Sequence, residues 1–380
     1  MGETNVILID KISELRTEKK EAIKSLLRDL TDFVGVSGTE QQVVRYMKEQ
    51  LSPYADELKV DNNGNVIAIK NGTAEGPKIM VSSHSDEVGF YVKNILANGF
   101  IMFDKVGVVS NQLLLGRKVW ITVNKIPGII GIMAGHLQSP EESKTVKPPS
   151  KCYIDVGLSS REEVEALGIK IGDPIVFQSD FMEMSNPDLI ATKSVDNRIN
   201  CALIIELFKH MQNEQFAGTL YGVVTVQEEV GLRGGTMVAN AIEPDYAIIL
   251  DTIPTGDTPD INTDAVLPVY LGKGPAIPLA DGVGGALVFN YVHPKIKQMI
   301  EEEASNHDIP LQLTTLIGDY TTDASSVGIA GKGIPVGIIA TPRRYSHSPV
   351  ELVNLNDAVS VFEIVTSIVK NNGNKDLSFI

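Results

Sequence analysis

The sequence has few cysteines and no spacing that would pair them. Cys152 and Cys201 are the only cysteines, and they lack the C-x-x-C spacing of a redox or thiolate metal site. This usage excludes a disulfide-stapled secreted domain and is typical of a reducing compartment. We therefore expect a cytoplasmic protein in which both thiols are buried as small apolar side chains.

Long apolar segments are also missing. The longest apolar runs, such as Ile129–Ala134, are far shorter than a membrane-spanning helix. The segment from Met1 to Glu21 mixes acidic and basic residues and lacks the apolar core of a signal peptide. We expect no membrane anchor and no membrane partner.

Positive charge is scarce. The chain has 33 Lys and Arg residues against 48 Asp and Glu residues, which gives a formal net charge of −15. No basic cluster offsets this charge, so binding to nucleic acid or to anionic lipid is disfavoured. With 380 residues, of which 43% are hydrophobic, the composition is that of a folded protein with about two domains.

The spacing of apolar residues predicts an α/β protein that is interrupted by a β-rich insert. Helical periodicity over 20–51 indicates two helices, and a hairpin-like pair of strands follows at 58–69. From Gly89 to about Pro187, short Val- and Ile-rich runs separated by Gly, Pro and Asn are typical of a small β-barrel or sandwich. Strands and helices then alternate, with strands predicted at 218–226, 246–250 and 334–339 and helices at 202–211, 295–306 and 355–370.

Four predicted strands of the α/β part are each followed by residues that bind metal ions well. In chain order these residues are His84, Glu228 with Glu229, Asp251, and His347. Open α/β sheets bind ligands outside the carboxyl ends of their strands, so these side chains can meet in one crevice. Asp196, which precedes the predicted helix 202–211, is a further candidate.

Each of these residues alone has an ordinary structural explanation. A single His after a strand is more often a satisfied polar residue than a ligand, the pair Glu228 and Glu229 could form a solvated loop, and Asp251 could be a cap. Five such positions in one topology are hard to explain by coincidence. We therefore predict a metal centre.

The predicted ligands, two His and three carboxylates, have a definite chemistry. Oxygen and imidazole ligands without thiolate suit Zn, Co or Mn. If one carboxylate bridges two ions, the excess positive charge lowers the pKa of a bridging water, which becomes the nucleophile. Adjacent residues on an extended segment point to opposite sides, so Glu228 and Glu229 are expected to have different roles, one of them as a proton shuttle. Asp86 could hold the free imidazole nitrogen of His84, or could cap a turn instead.

The motifs around these residues resemble the tetrahedral dimetal aminopeptidases, metallopeptidase family 42 of clan MH, which includes glutamyl aminopeptidases. The resemblance covers essentially the whole chain and preserves the order of the motifs. The segments that carry it are Ser83-His84-Ser85-Asp86-Glu87-Val88-Gly89, Asp196-Asn197-Arg198, Thr225-Val226-Gln227-Glu228-Glu229-Val230-Gly231-Leu232-Arg233-Gly234-Gly235, Asp251-Thr252, and Arg344-Tyr345-Ser346-His347-Ser348-Pro349-Val350-Glu351.

This resemblance implies a fold and an assembly. The expected fold class is α/β, with a mixed-sheet α/β/α catalytic domain of the phosphorylase/hydrolase-like kind and an inserted small β-barrel that is PDZ-like. Residues 1–88 and 187–380 would form the catalytic domain, and 89–186 the insert through which subunits dimerise. The dimers would assemble into a tetrahedral dodecamer with active sites facing an internal chamber.

The resemblance also implies a role for each candidate residue. Two divalent metal ions per subunit, Zn or Co or alternatively Mn, would be bridged by Asp196. His84 and Asp251 would complete one metal position, and Glu229 and His347 the other. Glu228 would be the general base and Asp86 the orienting acid. The stretch 281–289 matches no segment of the family, and Arg343 stands where the family commonly has Thr.

The function predicted from these roles is removal of N-terminal residues from short peptides by attack of a metal-bridging hydroxide. The alternatives are a clan-related metal-dependent deacylase or carboxypeptidase, and a metal-binding assembly protein whose catalysis has lapsed. The presence of Glu228 beside all five ligands argues against a protein whose catalysis has lapsed. Some relatives have been labelled endoglucanases, but glycoside hydrolysis normally needs two carboxylates flanking a sugar and no metal pair.

Two arginines precede the last ligand, His347. A guanidinium at Arg343 or Arg344 could pair with an acidic substrate side chain through charge-assisted bonds. The alternative, which we favour because exposure is the default for Arg, is that Arg344 has a structural role and Arg343 faces solvent.

Overall fold

Residues 2–284, 287–373 and 376–380 are described by the computed structural model. Met1 lies outside them, as do Gly285 and Ala286 within the unmatched stretch 281–289. The described residues form a large mixed sheet flanked by helices and a separate closed barrel of six strands. The predicted fold class, a mixed-sheet α/β/α domain with an inserted small β-barrel, is confirmed.

The chain begins with two helices, α1 (Gly2–Asp32) and α2 (Gln41–Leu51), as predicted, although α1 starts 18 residues before the predicted residue 20. Val43, Met47 and Leu51 recur every four residues on α2 and are all buried, which is why this segment packs as a helix. The antiparallel pair β1 (Glu57–Val60) and β2 (Val66–Asn71) follows, also as predicted.

A long strand, β3, leads from the large sheet into the barrel. It spans Ala74–His84, and the barrel strands are β4 (Gly89–Ile95), β5 (Ile101–Val106), β6 (Lys118–Ile121), β7 (Ile126–Gly131), β8 (Tyr153–Asp155) and β9 (Pro174–Phe177). These strands close in the order β4-β5-β8-β7-β6-β9. Phe90 packs edge to face on Phe103 and Phe177, with ring centroids 5.1 and 5.2 Å apart, so the barrel has a core of its own.

The remaining elements complete the α/β part. Its strands after the barrel are β10 (Met182–Glu183), β11 (Leu189–Thr192), β12 (Ala217–Thr225), β13 (Tyr246–Pro254), β14 (Ala276–Val283), β15 (Val288–Tyr291), β16 (Gln312–Tyr320), β17 (Val336–Arg344) and β18 (Glu351–Asn354). The helices after α2 are α3 (Arg161–Ala166), which lies in the barrel segment, and α4 (Val195–Met211), α5 (Arg233–Ile242), α6 (Thr263–Val266), α7 (Pro294–Asn306), α8 (Asp323–Val327) and α9 (Leu355–Lys370).

Four adjacent strands of the large sheet run parallel, in the spatial order β12-β3-β13-β17. Their carboxyl ends therefore lie along one edge of the sheet. β13 and β17 continue beyond their predicted ends because they stay paired from Ala247 with Val336 to Pro254 with Arg343.

Two expectations about composition can be compared with the fold. Cys152 and Cys201 are free and buried, as predicted. Within the described ranges, no helix combines the length and apolar character needed to cross a bilayer.

Candidate metal centre

The parallel edge of the sheet brings the predicted ligands together. His84 is the last residue of β3, and His347 follows β17. Asp251 lies within β13, which continues for three residues beyond it to Pro254, so the prediction that Asp251 follows its strand is wrong. Asp196 reaches the same place from the first turn of α4, where its peptide bond to Asn197 is cis.

Asp196 lies at the centre of the group. Its Oδ1 is 3.2 Å from Nε2 of His84, and its Oδ2 is 3.2 Å from Nε2 of His347. The potential ligand atoms form two groups, and within each group they lie within 4.8 Å of one another. One group is His84, Asp196 and Asp251, and the other is Asp196, Glu229 and His347. The carboxylate of Asp196 therefore belongs to both groups.

Both imidazoles direct Nε2 at this carboxylate because Nδ1 is engaged elsewhere. Nδ1 of His347 lies 2.9 Å from the backbone oxygen of Val108, and Nδ1 of His84 lies 3.2 Å from the backbone oxygen of Asp86. A carbonyl oxygen only accepts, so Nδ1 carries the proton in each ring and donates it. Nε2 is then the nitrogen with which each histidine could bind a metal ion.

The donor set fits a pair of hard or borderline divalent ions. Nε2 of each histidine lies 3.2 Å from an oxygen of Asp196, a separation that either a proton on the ring or a cation between the two atoms makes favourable. Oδ1 of Asp196 is buried and has no hydrogen-bond partner among the residues that the structure describes. Imidazole nitrogen and carboxylate oxygen without thiolate suit Zn, Co or Mn.

The carboxylates raise the pKa of both histidines. Burial lowers the pKa of His84, but the charge of Glu228 and the contact with Asp196 outweigh it and hold the pKa well above its ordinary value. At His347, burial is likewise outweighed by the charge of Glu229 and the contact with Asp196, so its pKa is also raised. A proton and a divalent cation compete for the same nitrogen atoms in such a site.

Asp86 holds the backbone of the glutamate pair. Its Oδ1 accepts from the backbone nitrogen of Glu228 at 3.0 Å, and its Oδ2 accepts from that of Glu229 at 3.1 Å. Its Oδ1 is also 3.5 Å from Nδ1 of His84. Ser37, which the sequence analysis missed, donates to Oδ2 at 2.6 Å. Burial opposes ionisation, but the hydrogen bond and charge of His84 lower the pKa of Asp86.

The glutamate pair lies in a turn and not on an extended segment. The backbone oxygen of Glu228 accepts from the nitrogens of Gly231 and Leu232 at 3.0 and 2.8 Å. The expectation that Glu228 and Glu229 point to opposite sides of a strand is therefore wrong, and both carboxylates reach the same crevice. Oε1 of Glu229 is 3.4 Å from Nε2 of His347, and Oε2 of Glu228 is 4.0 Å from Nε2 of His84.

Glu228 is buried among other acids. Burial raises the pKa of Glu228 well above its ordinary value, and the charges of Asp251 and Glu229 raise it further, while His84 opposes them. Potential ligand atoms of His84, Glu228 and Glu229 also lie within 4.8 Å of one another. Distance alone therefore does not separate a ligand from a proton carrier in this pair.

Glu351 is a second residue that the sequence analysis left without a role. Its Oε2 accepts from the backbone nitrogen of Asp196 at 2.9 Å, and its Oε1 accepts from that of His347 at 2.8 Å. One buried carboxylate thereby joins two ligand-bearing segments. Its position four residues after His347 in the same motif was the available signal.

Arg343 does not face solvent, so that expectation is wrong. Its side chain is 3% exposed, Nη2 contacts Oδ2 of Asp196, and Nε donates to Oγ1 of Thr252 at 2.6 Å. Arg344 is partly exposed and forms a bidentate pair with Asp257, with nitrogen to oxygen distances of 2.9 and 2.7 Å. Neither guanidinium is a free cation at the crevice.

Several residues around the centre have left-handed backbone conformations. Positive φ angles between 49 and 63° occur at Ser194, Gln227, Leu232, Tyr345 and His347, none of which is glycine. Such conformations are disfavoured for residues with a Cβ and persist where the surrounding structure imposes them. The loops that carry the ligands are therefore held in place by their surroundings.

A cavity of about 640 Å³ opens onto the candidate ligands. Its charged lining residues are the six acids and histidines of the centre together with Arg343. Much of the remaining wall is apolar, with Val108, Val109 and Leu113 from the barrel segment and Leu232, Pro254, Val283 and Val288 from the α/β part.

Residues 64–364 match the M42 glutamyl aminopeptidase family. The chain belongs to this family. It is 31% identical over 349 residues to the lysyl aminopeptidase of Pyrococcus furiosus, covering 91% of this chain and 96% of the relative.

Solved structures of an aminopeptidase and of a TET peptidase share the fold. An aminopeptidase from the archaeon Desulfurococcus kamchatkensis superposes with a TM-score of 0.86 at 32% identity, covering 94% of this chain and 95% of that one. The TET1 peptidase of Pyrococcus horikoshii, described as assembling into a tetrahedron or a large octahedral shell, superposes with a TM-score of 0.79 at 29% identity, covering 91% and 99%. The M42 chain is thus a metallo-aminopeptidase, and the predicted enzyme class is confirmed.

Proposed function

We propose that this M42 aminopeptidase removes N-terminal residues from short peptides with the help of two divalent metal ions per subunit. The observation that carries the proposal is the position of Asp196, whose two carboxylate oxygens each lie 3.2 Å from a different imidazole Nε2. His84 and Asp251 would hold one ion with Asp196, and Glu229 and His347 the other. The bound ions would supply Lewis acidity for the peptide carbonyl and would activate water.

Glu228 is proposed as the general base. Its carboxylate lies in the same cavity as the ligands and is anchored through its own backbone nitrogen by Asp86. A carboxylate there takes a proton from the attacking water and passes it to the leaving amine nitrogen. Asp86 is the orienting acid, because it fixes the peptide that carries both glutamates.

The lining of the cavity supports an apolar side chain at the N-terminal residue of the substrate. The apolar part of its wall is built mainly from Val and Leu side chains, and its one arginine is already paired with Asp196. The carboxylates that also line the cavity suit the positive α-amine of a free N-terminus. An acidic side chain directed at this apolar wall would lose its hydration without gaining a cation to pair with.

The barrel is proposed as the module through which subunits associate. It exposes large apolar side chains, among them Ile129, Leu137 and Ile171 at 54%, 68% and 62% exposure. Apolar side chains exposed in this number are typical of surfaces that bind another chain. Together with the tetrahedral assembly described for the Pyrococcus horikoshii peptidase, this favours a homo-oligomer, and we propose dimers that assemble into a dodecamer.

The test is hydrolysis of a panel of aminoacyl p-nitroanilides and short peptides. Free N-termini should be cleaved, N-acetylated counterparts should not, and peptides with an amidated C-terminus should still be cleaved. Activity should disappear with chelator and return with Zn, Co or Mn. A requirement for a free C-terminal carboxylate would point to a carboxypeptidase and would contradict the proposal.

A further inference from the structure

Arg343 places a guanidinium inside the group of candidate ligands. Nη2 contacts Oδ2 of Asp196, and Nη1 lies 3.3 Å from Oε1 of Glu351. Nη1 is buried but has no hydrogen-bond partner in the part of the chain that the structure describes. Buried donors are normally paired, so this guanidinium is not fully satisfied where it lies.

The contact with Arg343 makes the surroundings of the two carboxylate oxygens of Asp196 different. Oδ1 faces His84, whereas Oδ2 faces both His347 and Arg343. The two ligand groups that share Asp196 each contain one imidazole and two carboxylates. They are therefore equal in ligand type and formal charge, and the guanidinium on Oδ2 makes them different.

A guanidinium at a ligand oxygen weakens the binding of a cation there for two reasons. It uses a lone pair of the oxygen, and its charge repels the incoming ion. In a buried site bulk salt screens this repulsion only weakly. Glu351, whose Oε1 is 3.3 Å from Nη1, is the carboxylate to which the guanidinium can shift its interaction.

We infer that Arg343 is a positioning residue that makes the two metal positions unequal. A divalent ion binds more weakly at Asp196, Glu229 and His347 than at His84, Asp196 and Asp251. Filling the weaker position displaces the guanidinium from Asp196 towards Glu351. The inference rests on the proposed two-metal centre and adds to it the order in which its positions fill.

The experiment is a titration of the chelator-treated full-length protein with Co²⁺. Binding is measured by calorimetry and by the visible spectrum of the bound ion. The wild type should show two classes of Co²⁺ site that differ in affinity. His347→Ala should remove the weaker class and His84→Ala the tighter one, which assigns each class to a position. The neutral variants Arg343→Met and Arg343→Gln should tighten the weaker class by ~10- to 100-fold, the range over which groups adjoining a ligand alter metal affinity.

Two further variants separate charge from general disruption. Arg343→Lys retains the positive charge and should retain two distinct classes. Arg344→Met removes the neighbouring guanidinium, which pairs with Asp257, and should leave both classes unchanged. Circular dichroism of each variant checks that it is folded, and the Met and Gln variants provide independent neutral substitutions.

The outcomes are distinguishable. The inference is overturned if both neutral variants leave the affinity of the weaker class unchanged or lower it further. A further loss of affinity would show that Arg343 supports metal binding. If the wild type binds no divalent ion at either position, the proposed two-metal centre itself is wrong. Two classes in the wild type that do not respond to Arg343→Met or Arg343→Gln contradict only the role given to Arg343.

Discussion

Nδ1 of His347 lies 2.9 Å from the backbone carbonyl oxygen of Val108. Val108 follows β5 and belongs to the barrel segment, whereas His347 follows β17 of the large sheet. Because the carbonyl accepts the Nδ1 proton, it directs Nε2 of His347 towards Asp196. The inserted segment thereby contributes a contact to the candidate metal centre itself, in addition to the role in assembly that we propose for it.

We expect Gly107→Ala to loosen this contact. Gly107 has a φ of +71°, and a Cβ there would lie 2.7 Å from Cγ1 of Val88, so the chain must shift next to Val108. Loss of a partner that orients a metal-binding imidazole typically weakens metal binding ~10- to 100-fold. Metal content after dialysis, measured by elemental analysis, should fall at the His347 position. The control is Gly116→Ala, which has a similar φ of +73° and no atom within 4 Å of the added Cβ. Equal losses in the two variants would contradict a specific role for the contact.

Glu228→Gln and Glu229→Gln should have different effects. Glu228→Gln keeps the size of the side chain but removes its basicity, so turnover should fall by ~10²- to 10⁴-fold while both metal ions remain. Glu229→Gln should lose one ion, because a neutral amide is a poorer ligand for a divalent cation. The measurement is metal stoichiometry alongside kcat for both variants. If Glu228→Gln loses an ion and Glu229→Gln keeps two, the proposed roles are exchanged.

The convergence of the ligands could be predicted because it depends on one general property of parallel sheets. His84, Glu228 and His347 each follow an apolar run, and parallel strands bring such positions to one edge whatever their separation in the chain. The helix Leu355–Lys370 was predicted with its observed ends, since its apolar periodicity is regular.

Other features depend on contacts that no local pattern encodes. Ser37 reaches Asp86 across 49 residues, and Arg343 meets Asp196 across 147. The helix Arg233–Ile242 begins with an Arg-Gly-Gly sequence that disfavours helix, so packing and not propensity determines it. The strand Tyr153–Asp155 has three residues, too few to show an alternation.

The cavity predicts a preference for apolar N-terminal residues. A leucyl substrate should exceed a glutamyl one in kcat/KM by at least ~10-fold, because an acidic side chain loses hydration against the apolar wall without gaining a partner. Val288→Lys adds a cation to the cavity wall and should lower the ratio of leucyl to glutamyl kcat/KM. Leu287→Lys, at a neighbouring position that is 89% exposed and does not line the cavity, is the matched control. Glutamyl substrates cleaved faster than leucyl ones by the wild type would refute the preference.

Assembly through the barrel predicts that charges on its apolar surface reduce the size of the oligomer. The variant combines Ile129→Glu, Leu137→Glu and Ile171→Glu, all at exposed barrel positions. Burying three carboxylates in an interface is costly, so light scattering should report a smaller particle. The control combines Leu15→Glu, Val60→Glu and Val266→Glu, which are exposed apolar positions outside the barrel. An unchanged particle in the barrel variant would argue against an interface there.

A buried charge cluster behind the centre leads to a prediction about stability. The carboxylate of Glu87 accepts from Nζ of Lys193 at 2.9 and 2.8 Å, and Nη2 of Arg198 lies 3.3 Å away. One buried carboxylate is thus the counter-charge shared by two buried cations. Burial is the main cause that lowers the pKa of Lys193 to about 8, although the charge of Glu87 opposes it.

Removing the shared carboxylate should therefore cost more than removing one of its cations. Glu87→Gln leaves Lys193 and Arg198 without a counter-charge and should lower the free energy of unfolding at pH 7 by ~3–5 kcal/mol, as for other broken buried pairs. Lys193→Met leaves a balanced pair of Glu87 and Arg198 and should cost less. Loss of the carboxylate lowers the folded-state pKa of Lys193 below about 8, so the excess cost of Glu87→Gln is present at pH 7. This excess cost should shrink as the pH rises through 8, because Lys193 is then already neutral in the folded wild type. Guanidinium unfolding of the three proteins at pH 7 and pH 9, all in excess chelator, measures these differences. A larger loss for Lys193→Met than for Glu87→Gln at pH 7 would show that Glu87 is not the main counter-charge of the cluster.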